Sequence, residues 1–340
     1  MSFQSLFTKK SLLRSFVFLF CCFTVYLSFF SRSVQAQVVI GWQDFVDPTK
    51  SAHVGNNYPK AIGDKVKWQH YDRDTELLND LRDKKVQFGT IESTSLVSAA
   101  TVGLQVRAIA VAAIIRESSA LVVSLNSQIT KPEDLIGKKI ATPFVSNAHY
   151  SLLRALQHWN IPLSDVHIVN LQPEDILKAW KKGTIDGAYV SDITLLKLKE
   201  TGKVLVDSGQ VADWGFPTYR LWVTMDQNIS TDPYTPQYLA DTTLKIYKDY
   251  RKNKASWNAT SPAVTEIAKL MHISPNDAVT LLSGSTYPDL RDQKQLLTGP
   301  FVSYLGEVAL FLKNQNVMGN VLSDYLLYVD TNFVDPAYFR

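Results

Sequence analysis

The sequence predicts an α/β protein made of two units, each a mainly parallel β-sheet flanked by helices. Apolar, β-branched segments alternate with segments of helical periodicity, as they do in parallel α/β folds. The alternation begins again near residue 125, which indicates a second unit. Of the 340 residues, the 304 that come after the first 36 are enough for two domains of ordinary size.

The first 36 residues have the pattern of a secretory signal peptide. Lys9, Lys10 and Arg14 form a basic region, and an uncharged apolar run extends from Ser15 to Phe30. The segment "SVQA", which ends at Ala36, supplies the small residues of a cleavage site. An uncleaved membrane anchor is the alternative, but the apolar run is short for a span and a cleavage site comes after it. We therefore expect cleavage after Ala36 and a periplasmic protein.

Charge and cysteine content narrow the possible functions. The first 36 residues hold four basic and no acidic residues, so their removal leaves 31 Lys and Arg against 32 Asp and Glu, a net charge of −1. Nothing in that balance suggests a nucleic-acid partner, and we expect a soluble monomer. Cys21 and Cys22 both lie in the signal segment, which excludes disulfides and thiol chemistry from the rest of the chain.

In the first unit, β-branched apolar runs predict the strands and 3.6-residue spacing predicts the helices. The predicted strands are Gln37–Gln43, Lys65–Tyr71, Val86–Ile91, Leu104–Ile115 and Ser119–Ser124; the helices are Thr75–Lys85 and one that begins at Ser93.

The second unit obeys the same rules, with a glycine stop after one of its helices. Its predicted strands are Lys138–Phe144, Asp165–Leu171, Ile185–Val190 and Lys203–Ser208, and its helices are Asn147–Asn160, Glu174–Gly183 and Ser191–Gly202. Tyr219–Met225 then carries the chain back towards the first unit, and the remainder is mostly helical, most clearly at Pro233–Asn253.

Motifs for catalysis or metal binding are missing. The sequence has no G-x-S-x-G, no phosphate-binding glycine loop and no H-E-x-x-H. His149 and His158 share one predicted helix, but nine residues apart they do not meet on one face. We therefore predict a binding protein with no catalytic residues, no cofactor and no metal.

Polar residues cluster just after the ends of four predicted strands. In open α/β sheets, ligands bind outside the carboxyl ends of the strands, where helix starts offer free backbone N–H groups. The alternative is ordinary helix capping, since Ser, Asn and Asp are common N-caps. The candidate ligand-binding residues at these junctions are Gln43, Asp44, Glu92, Ser93, Thr94, Ser146, Asn147, Ala148, Ser191 and Asp192.

Long segments of the chain resemble the periplasmic solute-binding proteins for taurine, sulfonates and nitrate-like anions. They include "ITKPEDLIGKKIATPFVSNAHYSLLRALQHWNI" (129–161), "VNLQPEDILKAWKKGTIDGAYV" (169–190), "GKVLVDSGQVADWGFPT" (202–218) and "GSTYPDLRDQKQLLTGP" (284–300). The resemblance implies a two-lobed clamshell of the type II class, with lobe one at 37–122 and 226–340 and lobe two at 123–225. It also implies a ligand held between the lobes, and lobe closure that presents the protein to an ABC permease.

The resemblance weakens at the binding positions. The family has a glycine and two serines where this chain has Glu92, Ser93 and Thr94, and threonines where it has Asn147 and Ala148. Where the family shows Trp-Ala-Pro, this chain has Ser191, Asp192 and Ile193. An aspartate that would pair with the taurine ammonium is replaced by Arg220.

Three accounts of these charges remain open at this point. Arg220 could pair internally with Glu92 or Asp192, leaving a pocket for a different, even neutral, ligand. The sites for the two ends of the ligand could be exchanged relative to the family. Arg220 would then bind the acid group and the carboxylates would bind the amine, as in an amino-acid-like ligand. The charges could also point away from the cleft. A clamshell enzyme and a sensory binding module are alternative functions, although the enzymes of this kind carry a cysteine-rich motif that this chain lacks after residue 36.

Overall fold

The computed structural model describes residues 37–55, 58, 62 and 66–335, which form eleven strands in two sheets and thirteen α-helices. The predicted signal peptide lies outside the described residues. All nine predicted strands are present, with ends within two residues of the predicted ones. The mixed α/β class is therefore confirmed.

The first sheet has six strands in the order β11-β4-β10-β3-β1-β2. The strand β1 pairs in parallel with β2 and β3, whereas β10 runs antiparallel between β3 and β4. Four of the six strands, β1 to β4, therefore point in one direction. The bounds are β1 Val38–Trp42, β2 Val66–His70, β3 Phe88–Glu92, β4 Val106–Ile115, β10 Thr218–Met225 and β11 Ser285–Thr286.

The second sheet has five strands in the order β7-β6-β8-β5-β9, of which only β5 runs against the others. Alternate side chains of β5 enter different cores: Leu121 and Val123 join one, and Ala120 and Val122 the other. Both faces of this sheet are thus covered by helices, as in α/β folds generally. The bounds are β5 Ser119–Ser124, β6 Lys139–Thr142, β7 His167–Asn170, β8 Gly187–Ser191 and β9 Gly202–Asp207.

The helices lie around both sheets. Their bounds are α1 Lys50–Gly55, α2 Asp74–Arg82, α3 Ser93–Thr101, α4 Asn147–His158, α5 Pro173–Lys181, α6 Asp192–Lys199, α7 Ser208–Asp213, α8 Asp226–Thr231, α9 Tyr234–Lys252, α10 Pro262–Leu270, α11 Pro275–Ser283, α12 Leu290–Leu297 and α13 Gly299–Asn314. No single helix in the described ranges has the length and apolarity of a membrane span. Only α12 and α13 taken together do, and they are bent by 53°.

Two connections join the sheets, one between β4 and β5 and one between α7 and β10, and they are tied to each other. The guanidinium of Arg116 donates to both carboxylate oxygens of Asp213, at 2.8 and 3.2 Å. The carbonyl of Gly284 accepts the N–H groups of Arg116 and Ser118, at 3.2 and 2.8 Å. A Cβ on Gly284 would lie 2.7 Å from the Ser118 nitrogen, so this approach requires glycine.

Sheet membership divides the chain somewhat differently from the predicted lobe boundaries. The prediction placed residues 119–122 in lobe one and 218–225 in lobe two, but β5 pairs within the second sheet and β10 within the first. The reason is that Thr218–Met225 lies between β3 and β4 and is hydrogen-bonded to both. Short-range sequence patterns do not report such long-range pairing.

Candidate functional site

A cleft of about 1180 Å³ lies between the two sheets. Its lining comes from the carboxyl ends of β1 and β3 in the first sheet and from β8 and the β6–α4 loop in the second. Arg220 reaches the same edge because β10 is antiparallel and begins there, which sets Arg220 directly opposite Glu92 in the ladder. The cleft thus lies where ligands of α/β proteins bind.

The cleft brings together most of the predicted site residues. Three of them lie beneath its surface instead: Ser93 and Thr94 are fully buried and Asn147 is nearly so. They hydrogen-bond to one another rather than facing open space. The predicted residues that line the cleft are Gln43, Asp44, Glu92, Ser146, Ala148, Ser191, Asp192 and Arg220.

The helix α2 sets one side of the site by packing tightly on the first sheet. Gly41 on β1 and Gly89 on β3 leave room for Leu77, and a Cβ on Gly89 would lie 2.7 Å from that side chain. The close approach delivers Asp74, the first residue of α2, between β1 and β3. Its carboxylate accepts the side-chain N–H of Gln43 and the backbone N–H of Glu92, both at 2.8 Å.

Arg220 is 9% exposed and is held from several sides. Its guanidinium donates to the side-chain oxygen of Gln43 at 2.5 Å and lies 4.9 Å from the ring centre of Phe45. A second nitrogen is 3.8 Å from a carboxylate oxygen of Glu92, a loose ion pair rather than a hydrogen bond. The orientation of the guanidinium is therefore fixed while part of it still faces the cleft.

Glu92 bridges the two sheets. Its Oε2 accepts the backbone N–H of Asn147, the first residue of α4, at 2.8 Å. Burial and, to a smaller extent, the nearby Asp74 carboxylate raise the pKa of Glu92 to about 7, against the opposing effects of Arg220 and the Asn147 N–H. A carboxylate at the start of a 12-residue helix is stabilised by the helix dipole and by the N–H groups of the first turn, which have no partner within the helix.

The side chain of Asn147 makes the reciprocal contact. Its Oδ1 accepts the hydroxyls of Ser93 and Thr94 at 3.1 and 3.2 Å, and the Thr94 backbone N–H at 3.4 Å. Its amide N–H donates to the carbonyl of Tyr219 at 2.9 Å. The starts of α3 and α4 are thus each covered by a side chain from the opposite sheet.

The start of α4 is built locally by its cap. The hydroxyl of Ser146 accepts the N–H of His149 at 3.1 Å and donates to the carbonyl of Pro143 at 2.6 Å. The His149 ring accepts the N–H of Val145, which has a φ of 61°, and burial lowers the pKa of His149 to about 4. The ring therefore stays neutral and serves to hold the loop.

Asp192, at the start of α6, has few partners. Its carboxylate accepts one long bond, from the N–H of Val46 at 3.5 Å, while its own N–H donates to the Ser118 carbonyl at 2.8 Å. Burial raises the pKa of Asp192 to about 7, against the opposing effect of Arg220. Neighbouring Ser191 donates to the hydroxyl of Ser119 at 2.9 Å and does not cap the helix.

The lining as a whole is slightly acidic. Six carboxylates line the cleft, from Asp44, Asp72, Asp74, Glu92, Glu174 and Asp192, against the four cations of Arg73, Arg82, Lys197 and Arg220. The sequence left open the orientation of three charged side chains, those of Glu92, Asp192 and Arg220, and all three line this cleft. The alternative in which they point away from the cleft does not hold.

Two contributors were missed in the sequence. Asp74 comes after β2 in the segment "YDRDTELL", and the strand-to-helix rule that found the other junctions would also have found it there. Phe45 carries no polar group that would have drawn attention to it. Within the described ranges, no group of three or more His, Cys, Asp or Glu side chains is arranged to hold a metal.

Comparison with known proteins places the chain in a family. The family model described as NMT1/THI5 like matches residues 58–253. The taurine-binding periplasmic protein of Escherichia coli is 37% identical over 309 residues, covering 91% of this chain and 96% of that protein.

Two solved structures illustrate the shared fold. The alkanesulfonate-binding protein SsuA of Xanthomonas axonopodis, bound to MOPS, superposes with a TM-score of 0.73 at 17% identity, covering 87% of this chain and 98% of that one. The desulfurization enzyme DSZB has a TM-score of 0.60 at 13% identity, with coverages of 88% and 97%. The chain is a member of the NMT1/THI5-like family and a relative of the taurine-binding periplasmic protein.

Proposed function

We propose that this protein is the periplasmic solute-binding component of an ABC importer. It binds taurine or a related aliphatic sulfonate between two lobes and delivers it to the membrane permease. One lobe contains β1 to β4 with β10 and β11, and the other contains β5 to β9. Residues 1–36 direct export, and the two connections near Arg116 and Asp213 serve as the hinge.

The observation that carries the proposal is the relation to a taurine-binding protein over nearly the whole chain, combined with a cleft that carries both charge signs. Taurine is a zwitterion, with a sulfonate and an ammonium separated by two carbons. Arg220 offers a guanidinium for an acid group, and Asp192 offers a nearly unpartnered carboxylate for an amine. The acidic excess of the lining disfavours a ligand that carries only negative charge.

We propose binding without chemical conversion. The fold shared with a desulfurization enzyme carries no argument for catalysis, because fold does not determine function. Cysteine occurs only at Cys21 and Cys22, so no thiol nucleophile lies in the part of the chain that forms the cleft. Mass spectrometry of a sulfonate after prolonged incubation should therefore recover it unchanged and detect no sulfite.

A thermal-shift series on the protein purified from the periplasmic fraction tests the ligand class. Taurine at one hundred times its dissociation constant should stabilise the protein by about 2.7 kcal/mol, a rise of several degrees in Tm. Ethanesulfonate, which lacks the amine, should stabilise less, and ethanolamine, which lacks the acid group, should have little effect. Absence of any shift with every sulfonate would refute the proposed ligand class.

A further inference from the structure

The contact between Glu92 and the start of α4 has a consequence for ligand binding. Glu92 Oε2 lies 2.8 Å from the backbone nitrogen of Asn147, and its Oε1 lies 3.8 Å from the Arg220 guanidinium. A helix start and a guanidinium are two of the strongest anion-binding groups that a protein offers. In this chain both are engaged by a carboxylate of the protein itself.

Glu92 lines the open cleft, so this carboxylate sits where a dissolved anion could approach. Its side chain is 18% exposed, which distinguishes it from a salt bridge sealed in the core. The loose 3.8 Å distance to Arg220 also leaves the guanidinium only partly satisfied. The guanidinium is therefore accessible to a competitor that arrives from the cleft, whereas the Asn147 N–H lies beneath the surface and is uncovered only when Glu92 moves away from it.

We propose that Glu92 is a resident competitor for the acid group of the ligand and thereby determines the affinity and selectivity of the cleft. Glu92 accepts the Asn147 N–H and faces Arg220, which keeps the two lobes together. An incoming sulfonate binds the same donors and displaces the carboxylate. The inference rests on the proposed function, since it concerns the same ligand and the same cleft.

Glu92 lowers the affinity of the cleft for anions that make no other contact with it. Each sulfonate must replace an intramolecular carboxylate, so its affinity is lowered by the work of displacing Glu92. A ligand with an additional ammonium recovers part of that loss by contacting Asp192. Simple anions have no such compensation, so the cleft favours zwitterions over plain sulfonates.

Protonation of Glu92 removes its charge and weakens the competition. The charged groups that act on Glu92 are Asp74 from α2, Arg220 from β10 and Asp192 from α6; α4 presents a backbone N–H. Because burial raises the pKa of Glu92 to about 7, the carboxyl is mostly neutral at pH 6 and mostly charged at pH 8. The affinity for ethanesulfonate, which has no amine to contact Asp192, should therefore rise as the pH falls through this range.

Calorimetric titration of ethanesulfonate and taurine at pH 8 tests the proposal on two variants. Glu92→Ala, which removes the competitor, should tighten ethanesulfonate binding at least tenfold. Glu92→Gln, which keeps an acceptor but loses the charge, should tighten it about threefold. Glu133→Gln is the matched control, because Glu133 is a glutamate that does not line the cleft, and its dissociation constants should stay within twofold of those of the wild type.

The outcomes separate this inference from the proposed function. If the wild type binds sulfonates and both Glu92 variants bind them equally or more weakly, Glu92 is a structural bridge and the inference is wrong. If neither the wild type nor either variant binds any sulfonate, the proposed function fails. In Glu92→Gln the rise in ethanesulfonate affinity from pH 8 to pH 6 should shrink to the part caused by Asp192, whose pKa is also about 7; an undiminished rise would contradict the inference.

Discussion

Glu92 and Asp192 occupy matching positions in the two sheets but differ in how well they are paired. Each lies at the carboxyl end of a strand, each starts or precedes a helix, and each accepts a backbone N–H from a residue on the other side of the cleft. Burial raises both pKa values to about 7. Glu92, however, accepts a 2.8 Å bond and faces Arg220 at 3.8 Å, whereas Asp192 has a single 3.5 Å bond.

The difference assigns separate roles to two similar carboxylates. A well-paired acid bridges the lobes and competes with ligand for donors, while an underpaired acid is available to a cation. The structure thus supports internal pairing of Glu92 with Arg220, which is the first of the three accounts that the sequence left open. For Asp192 the structure is consistent with the second account, in which a carboxylate of the cleft binds the amine of the ligand.

The largest effect is expected when Arg220 is replaced by Met. This substitution leaves Glu92 buried beside Asp74 without a compensating charge, a loss of about 3 kcal/mol in the free energy of unfolding. The Tm should fall by roughly 5–10 °C and taurine binding should weaken more than tenfold. Differential scanning fluorimetry and calorimetry measure the two quantities.

Arg251→Met is the control for this substitution. Arg251 pairs with Asp289 and Asp292 at 3.3 and 2.7 Å, but its side chain is 41% exposed and lies outside the cleft. Exposed ion pairs contribute about 0–1 kcal/mol, so its Tm should change little. Equal losses in the two variants would show that Arg220 has no special role.

An intermediate effect is expected for Asp192→Asn. The substitution keeps the shape of the side chain and removes the charge that would attract an ammonium. Taurine binding should weaken about tenfold, whereas ethanesulfonate, which has no amine, should bind as before or slightly more tightly. Equal weakening of both ligands would place the amine of taurine elsewhere.

The smallest effect is the pH dependence of stability without ligand. The pKa of Glu92 is about 7 in the folded protein against 4.5 when unperturbed, and that of Asp192 is about 7 against 3.8. Because both are raised, their contribution to stability is complete below pH 4 and is lost as the pH rises through 7. Between pH 5.5 and pH 8 the Tm of the wild type should fall by several degrees more than that of Glu92→Gln or Asp192→Asn.

Comparison between variants is essential in that experiment, because His53 and His149 act in the opposite sense. Burial lowers both imidazole pKa values to about 4, so they destabilise the fold as the pH falls below 6.5. Their effect is shared by all the proteins compared and cancels in the difference. A pH profile that is the same in wild type and variants would contradict the assigned carboxyl pKa values.

The sequence predicted the strands and the strand-to-helix junctions well, because both depend on local patterns. It located Gln43, Glu92, Ser146 and Asp192 near one another through the rule that ligands bind at the carboxyl ends of strands. That rule also covers Asp74, which was overlooked. The two-residue strand β11 is too short to leave a periodic signal.

Other features depend on contacts between distant parts of the chain. Arg220 faces Glu92 only because β10 pairs antiparallel with β3, a register that no local pattern specifies. Ser93 and Thr94 were predicted to face the ligand, yet Asn147 covers them, since the two lobes approach within hydrogen-bonding distance there. Whether a helix start is open or covered is a property of packing between lobes.

Titration of taurine and ethanesulfonate into Glu92→Ala and Asp192→Asn, side by side at pH 8, tests the contrast between the two carboxylates most directly. The account predicts changes of opposite sign: Glu92→Ala tightens both ligands, and Asp192→Asn weakens taurine alone. If both substitutions shift the taurine dissociation constant in the same direction, the two carboxylates share one role and the account is wrong.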